Sequence, residues 1–466
     1  MPYLLIILFL LNAEIAFGRD TNNSKHYKTL IQSLDSIRAD SGISATALLI
    51  VSPDKVLVSE TLGKLSHDSN VNFSEENYIR IGSISKLFTG LSALALENES
   101  AFKLDKPIST YLDTLPLQNK WSPKHQVTTA NLLEHTAGLG DMTRKEFSFN
   151  DPVSIEKAFL VDPSSRDLRW PPGYHSVYSN SGAGIAAFVI EKVSQKPFEL
   201  FTEESVFKKM GLRSATYQLS PEVKENLIAG FNTDGKTPIP YWHTLYRAFG
   251  GINIKVKEMS TVLKMLLNKG KVDGKVVFSE EIIHRLETPQ TSLAAQSGLE
   301  YGYGLGLYHF NVEAFSFIGH GGDADGYLSY LAYSRDLGVG YFLLINAFNH
   351  QAQNQMRNKI ESTLIEGARG KPLPTHYTLS KSRIDELVGK YQNTTSRFAR
   401  SQSQSLVLHA ENGLLYTVYN SRKRQLIPVN EYHFRRQGEP VATIAIVKSG
   451  SNTVLQGDIG NFLKTD

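Results

Sequence analysis

Apolar positions recur with two different periods along the chain, and the order of those periods predicts the architecture. Leu30, Ile31, Leu34 and Ile37 are spaced as one face of a helix over Tyr27–Ala39. Two runs rich in β-branched residues follow, Ile43–Val51 and Lys55–Leu62; joined by Ser52-Pro53-Asp54, they predict a hairpin. Helical spacing returns at Ser83–Asn98, Ser181–Ser194 and Met259–Leu267. Tyr303–His309, Ser316–Ile318, Gly326–Tyr333 and Gly338–Asn346 read as strands, and Gln351–Glu366 as a closing helix. Strands at both ends of a region with helices between them fit an antiparallel sheet carrying a helical insertion better than alternating β-α-β units. The predicted class is α+β within one large domain.

The pattern changes at Gly370-Lys371-Pro372-Leu373-Pro374. Beyond Leu387 come short strand-like runs, Ser405–His409, Leu414–Tyr419, Tyr432–Arg435 and Val441–Val447, separated by turns at Glu411-Asn412-Gly413 and Ser449-Gly450-Ser451. This predicts a small all-β barrel or sandwich. The expected organisation is a main domain at 19–369, a linker at 370–380 and a carboxy-terminal module at 381–466. At the amino end, an unbroken apolar run from Leu4 to Leu11 precedes small residues at Ala16 and Gly18 and then Arg19-Asp20-Thr21. Residues 1–18 therefore look like a secretory signal peptide cleaved after Gly18, the alternative being a buried amino-terminal strand or helix. A membrane span needs about 20 apolar residues, and Asn12 and Glu14 interrupt this run well before that.

Composition narrows the chemistry. With 41% hydrophobic and 20% charged residues the chain is neither disordered nor fibrous. Lys and Arg total 49 against 46 Asp and Glu, with no long basic run, so nucleic acid is not expected as a partner. There is no cysteine, which removes disulfides, thiolate nucleophiles, cysteine-rich zinc sites and a lipid-anchor thiol. The expected location is accordingly periplasmic or secreted, without a stable membrane anchor. The 13 histidines contain no His-Glu-x-x-His pattern. Asp323-Ala324-Asp325-Gly326 lacks the third acidic position and distal glutamate of a calcium loop, so neither a metal nor another cofactor is expected.

Three segments can carry chemistry. In Tyr78–Gly90, Ser83 and Lys86 lie three residues apart where a long apolar helix begins, so they share a face one turn apart. A serine hydroxyl needs a base to become a nucleophile, and a partly buried lysine can be that base or hold another base anionic; a capping serine is the alternative. The same spacing recurs at Ser52/Lys55, Ser100/Lys103, Ser154/Lys157 and Ser205/Lys208, so only the context singles out Ser83. Tyr178-Ser179-Asn180 precedes another apolar helix. There the phenol can be a base if a lysine ammonium lowers its pKa, and the Asn180 amide can bind a substrate carbonyl and orient Lys86, or the two can be a packed tyrosine and a helix cap. His320-Gly321-Gly322-Asp323 ends a strand, and its glycines let backbone approach a ligand or make a tight hairpin.

Taken in this order, the three segments resemble the serine β-lactamase and penicillin-binding-protein superfamily, in its class C-like branch of D-alanyl-D-alanine carboxypeptidases, D-aminopeptidases and esterases. Leu132–Leu139, Phe249-Gly250-Gly251 and Tyr303-Gly304-Leu305-Gly306 are similar to that branch as well, so the resemblance spans about residues 28–366. It implies a β-lactamase/transpeptidase-like fold and a serine hydrolase working through an acyl-enzyme. Ser83 would be the nucleophile, with Lys86 and Tyr178 sharing its proton. Asn180, His320, Gly321 and Gly322 would contact substrate, and main-chain N–H groups of Ser83 and Asp323 would form an oxyanion hole. The family's third motif is commonly Lys, then Thr or Ser, then Gly. Here it is His320-Gly321-Gly322, in which the histidine would be only partly charged near neutrality and Gly321 offers no hydroxyl for a carboxylate. An ester or D-amino peptide is thus expected ahead of a β-lactam. The alternative is a penicillin- or peptidoglycan-binding sensor that keeps the fold with no turnover or slow turnover. The sequence leaves the oligomeric state open.

Overall fold

The computed structural model describes residues 25–397, 404–419 and 421–466; the apolar segment at 1–18 lies outside them. A helix at 25–40 (α1) leads into a hairpin of β1 (Ala45–Val51) and β2 (Val56–Gly63). Some 240 residues later, four strands complete the sheet: β3 (Tyr308–Val312), β4 (Phe315–Ala324), β5 (Tyr327–Ser334) and β6 (Val339–Ile345). Their order is β2-β1-β6-β5-β4-β3, antiparallel throughout, with Leu48 opposite Leu343 where the two ends meet. The α+β arrangement read from the order of strands and helices is the one observed.

The sheet is buried on both faces, which is why β1 is a continuous apolar run rather than an alternating one. Ala47, Leu49 and Val51 point into a large core with the helical insertion, whereas Leu48 and Ile50 point into a second core under α1 and the closing helix His350–Ile365. The insertion is centred on two helices, Ser85–Glu99 and Asn180–Ser194, here α2 and α3. Both are apolar on nearly every side, as helices sealed inside a core must be.

Two strand expectations shift. The Tyr303–His309 run becomes a strand only at Tyr308; Gly304 and Gly306 upstream sit where a Cβ would strike Leu286 O at 2.3 Å and Lys86 O at 2.5 Å. Their alternation with larger residues serves backbone contact, not pleating. Conversely β4 runs six residues past Ile318, through the glycines that read as a turn.

The carboxy-terminal module is a closed eight-stranded barrel. Its strands are Gly389–Asn393, Ser405–Glu411, Leu414–Tyr419, Arg422–Pro428, His433–Arg435, Ile444–Ser449, Asn452–Gly457 and Gly460–Lys464. Tyr391, Leu408, Leu426, Phe434, Ile446, Leu455 and Phe462 fill it. Four of these strands were not evident from periodicity, nor was the preceding helix Lys381–Leu387.

Candidate functional site

The site is built where two helices of the insertion start beneath the edge of β4. Gly82 takes φ +51° and turns the chain into a short 3-10 segment, Gly82–Ile84, that continues as α2. Ser83 is half-buried and caps neither segment. Its Oγ lies 3.1 Å from Lys86 Nζ, one turn on. Lys86 is 2% exposed, and its amine also donates to Asn180 Oδ1 at 2.7 Å and Phe249 O at 3.0 Å.

Asn180 is the first residue of α3, and the residue before it does the capping: Ser179 Oγ accepts the Gly182 N–H at 3.3 Å. That releases the Asn180 amide for other work. Buried Asp141 accepts the Asn180 main-chain N–H at 2.8 Å and its side-chain N–H at 3.4 Å. With Nδ2 committed to a carboxylate, Oδ1 is left to face Lys86.

Tyr178 completes this floor. Its hydroxyl faces the Ser83 side chain, and its ring centroid lies 4.8 Å from Lys86 Nζ. His135 packs between the rings of Tyr178 and Tyr303, 4.3 Å from each, and its Nδ1 accepts the Ser179 N–H at 3.2 Å. Burial holds the Lys86 amine well below its ordinary pKa, against the opposing pull of the Asp141 carboxylate. Burial likewise raises the Tyr178 phenol, the opposite of the lowering by a lysine ammonium that the sequence suggested, with the Ser83 side chain offsetting part of the shift. Both effects favour uncharged groups. A neutral amine has two N–H groups for Asn180 Oδ1 and Phe249 O and one lone pair, directed at the Ser83 hydroxyl; this arrangement can take the serine proton.

The wall is β4. Gly322 passes so close to the segment before Ser83 that a Cβ would stand 2.0 Å from Ile81 O and 2.3 Å from Ser329 Oγ. Gly322, expected to touch substrate, thus contacts the Ile81 backbone instead. Gly321 is less confined, its hypothetical Cβ meeting the Tyr330 ring at 3.3 Å. The two-residue turn Asp325-Gly326 makes Ala324 and Tyr327 a hydrogen-bonded pair, so alternation along the ladder aims the Asp323 N–H away from β5. The Asp323 backbone abuts Gly82, within 2.7 Å of where its Cβ would stand, which brings the Ser83 and Asp323 main chains together as an oxyanion site requires.

His320 departs from expectation. It is 3% exposed, accepts from Tyr303 Oη at Nε2 (2.7 Å) and donates from Nδ1 to Gly321 O (2.5 Å). Burial pushes its pKa down to about 3. It is neutral at physiological pH, not partly charged.

These groups line a cavity of about 450 Å³ bounded by Ser83, Tyr178, Asn180, His320, Gly321 and Asp323, with Phe147 and His243 on the far side. Two charged residues absent from the sequence-based set contact these groups: Asp141 is bonded to Asn180, and Arg397 lies over the Tyr178 ring. Asp141 lies two residues past the Leu132–Leu139 segment, the one signal that could have drawn attention to it. Arg397, from the barrel, lines the cavity and has no motif around it.

An antiparallel sheet closed by helices, with a serine and a buried lysine one turn apart at its edge, defines the β-lactamase/transpeptidase-like class of fold. Residues 30–363 match the family described as beta-lactamase, and the chain belongs to that family. PbpX of Bacillus subtilis (strain 168) is 24% identical over 334 residues, covering 72% of this chain and 78% of that protein. The D-alanyl-D-alanine-carboxypeptidase/endopeptidase AmpH of Escherichia coli (strain K12) is 27% identical over 203 residues, 42% of this chain and 50% of AmpH. The octameric penicillin-binding protein homologue from Pyrococcus abyssi superposes with a TM-score of 0.62 at 19% identity, covering 94% of this chain and all of that one.

Proposed function

We propose that the chain is an exported serine hydrolase that cleaves an amide or ester bond through an acyl-enzyme on Ser83. The observation that carries this reading is the buried Lys86 amine, 3.1 Å from Ser83 Oγ and held by Asn180 and Phe249 O. Lys86 takes the serine proton as Oγ attacks the substrate carbonyl. The carbonyl oxygen becomes an oxyanion received by the N–H groups of Ser83 and Asp323. Collapse of the adduct breaks the bond to the leaving group, which departs with a proton delivered through Tyr178. Water then attacks the acyl-enzyme carbonyl and gives its proton through Tyr178 to Lys86, and collapse of the adduct returns that proton to Ser83 Oγ as the acid is released.

A neutral His320 gives a substrate carboxylate no cation at the third motif, which supports an ester or D-amino peptide ahead of a β-lactam. The apolar run at 4–11 supports export. The test is intact-mass spectrometry with a fluorophosphonate and, separately, a labelled penicillin. A single adduct mapped to Ser83, absent in a folded Ser83→Ala variant, is expected from the fluorophosphonate. No adduct from either probe would leave the non-catalytic binding protein as the better reading. Because Ser83 caps nothing, the variant should melt close to the wild type.

A further inference from the structure

The barrel is fastened to the stretch that leads into Tyr178. Trp170 Nε1 donates to Thr394 O at 2.8 Å, Gln456 Nε2 to Tyr174 O at 2.7 Å and Asn461 Nδ2 to Ser176 O at 2.9 Å. Beside these bonds, Ala294 and Leu299 pack on Ala445, Val447 and Val454 of the barrel. From this docked edge the chain leaves strand Gly389–Asn393 and delivers Arg397 to the cavity. Arg397 grips Asp141 twice: its carbonyl accepts the Asp141 N–H at 3.0 Å, and its Nε donates to Asp141 Oδ2 at 2.7 Å. Its guanidinium carbon also lies 4.6 Å from the Tyr178 ring centroid. Asp141 holds Asn180, and Asn180 holds Lys86. One hydrogen-bonded path therefore runs from the barrel to the Lys86 amine.

We infer that Arg397 is a positioning residue contributed to the hydrolase site by the barrel, holding the Asp141–Asn180–Lys86 chain and placing a fixed positive charge against Tyr178 and Lys86. The inference rests on the acyl-enzyme reading above. Its electrostatic content follows from what faces the two groups. Asp141 and, across the cavity, Asp323 stabilise an ammonium on Lys86 and oppose a phenolate on Tyr178. Arg397 acts on both groups in the opposite sense. The other titratable neighbours of Tyr178 are His135, His320 and Tyr303, all kept uncharged by burial. Arg397 is thus the cation that balances the buried Asp141 carboxylate and lets the lysine remain a base.

The experiment is the acylation rate of the full chain with the fluorophosphonate as a function of pH, for wild type, Arg397→Gln, Arg397→Lys and Asp141→Asn. Arg397→Gln should move the rising limb to higher pH by about one unit, with a roughly tenfold lower rate below the limb. Arg397→Lys should keep the wild-type midpoint, and Asp141→Asn should move it the other way. The opposite displacements separate charge from mere support, which would lower the amplitude of every variant at an unchanged midpoint. Should Arg397→Gln fail to fold, the Lys and Asn variants still decide the sign. Acylation at Ser83 with an unmoved limb in the variants overturns this inference alone; a wild type that forms no adduct overturns the hydrolase reading and this inference with it.

Discussion

The floor and the wall of the cavity each bury a nitrogen base, and they treat it in opposite ways. Lys86 on the floor has acceptors for two N–H groups and directs what remains at a hydroxyl facing the cavity. His320 on the wall spends both ring nitrogens, one on Tyr303 and one on Gly321 O, and has nothing left for a ligand. Burial depresses both bases, so burial does not distinguish them. The difference lies in the partners: a buried base is available for chemistry when its last unsatisfied position points at the reacting atom.

This contrast can be broken most forcefully at Lys86. Lys86→Ala removes the base and leaves Asn180 Oδ1 and Phe249 O without their donor; acylation by a fluorophosphonate should fall by about 10³-fold or more, measured by intact mass over time. A variant that acylates at the wild-type rate would remove the floor's claim to the chemistry. Gly322→Ala comes next. Its methyl would drive β4 off Ile81 and displace the Asp323 N–H, costing about 1–3 kcal/mol of stability and about 10²-fold in acylation. Gly321→Ala, with a ring edge at 3.3 Å as its first obstacle, should retain most of both. Equal losses in the two variants would refute the backbone-approach account.

The smallest effect on rate, and the sharpest on pH, belongs to His320. Its pKa is lowered from 6.5 to about 3, so below pH 6.5 the unfolded chain binds a proton that the folded one refuses. The stability from this group is complete above about pH 6.5 and is lost as pH falls toward 3, at up to about 1.4 kcal/mol per pH unit. Urea melts of His320→Gln should accordingly lose less stability than wild type between pH 6.5 and 4, while acylation at pH 7 changes by less than about tenfold. Identical slopes would show that His320 is not held neutral.

The hairpin, the two-ended sheet and the helices α2 and α3 were legible because their period and length are set locally. Ser83, Lys86, Tyr178 and Asn180 were legible because each stands at the start of an apolar helix. Three things were not. Glycine between larger residues at 302–306 imitates the period of a strand, although Gly304 and Gly306 serve close backbone contacts. The barrel strand Arg422–Pro428 begins Arg-Lys-Arg-Gln, because the outward side of a closed barrel is solvated and its pairing is decided by neighbours. Asp141 and Arg397 are 256 residues apart, and nothing local announces an ion pair that only the docked barrel creates.

The pairing of β1 with β6 also bears on how the molecule is made. Leu48 meets Leu343 only after nearly all of the main domain has emerged from the ribosome. At about 5–20 residues per second, the nascent β1 waits on the order of 15–60 s for this neighbour. In that interval a strand destined to be covered on both faces offers one apolar edge to any other chain in the same condition. The yield on refolding should therefore depend steeply on concentration.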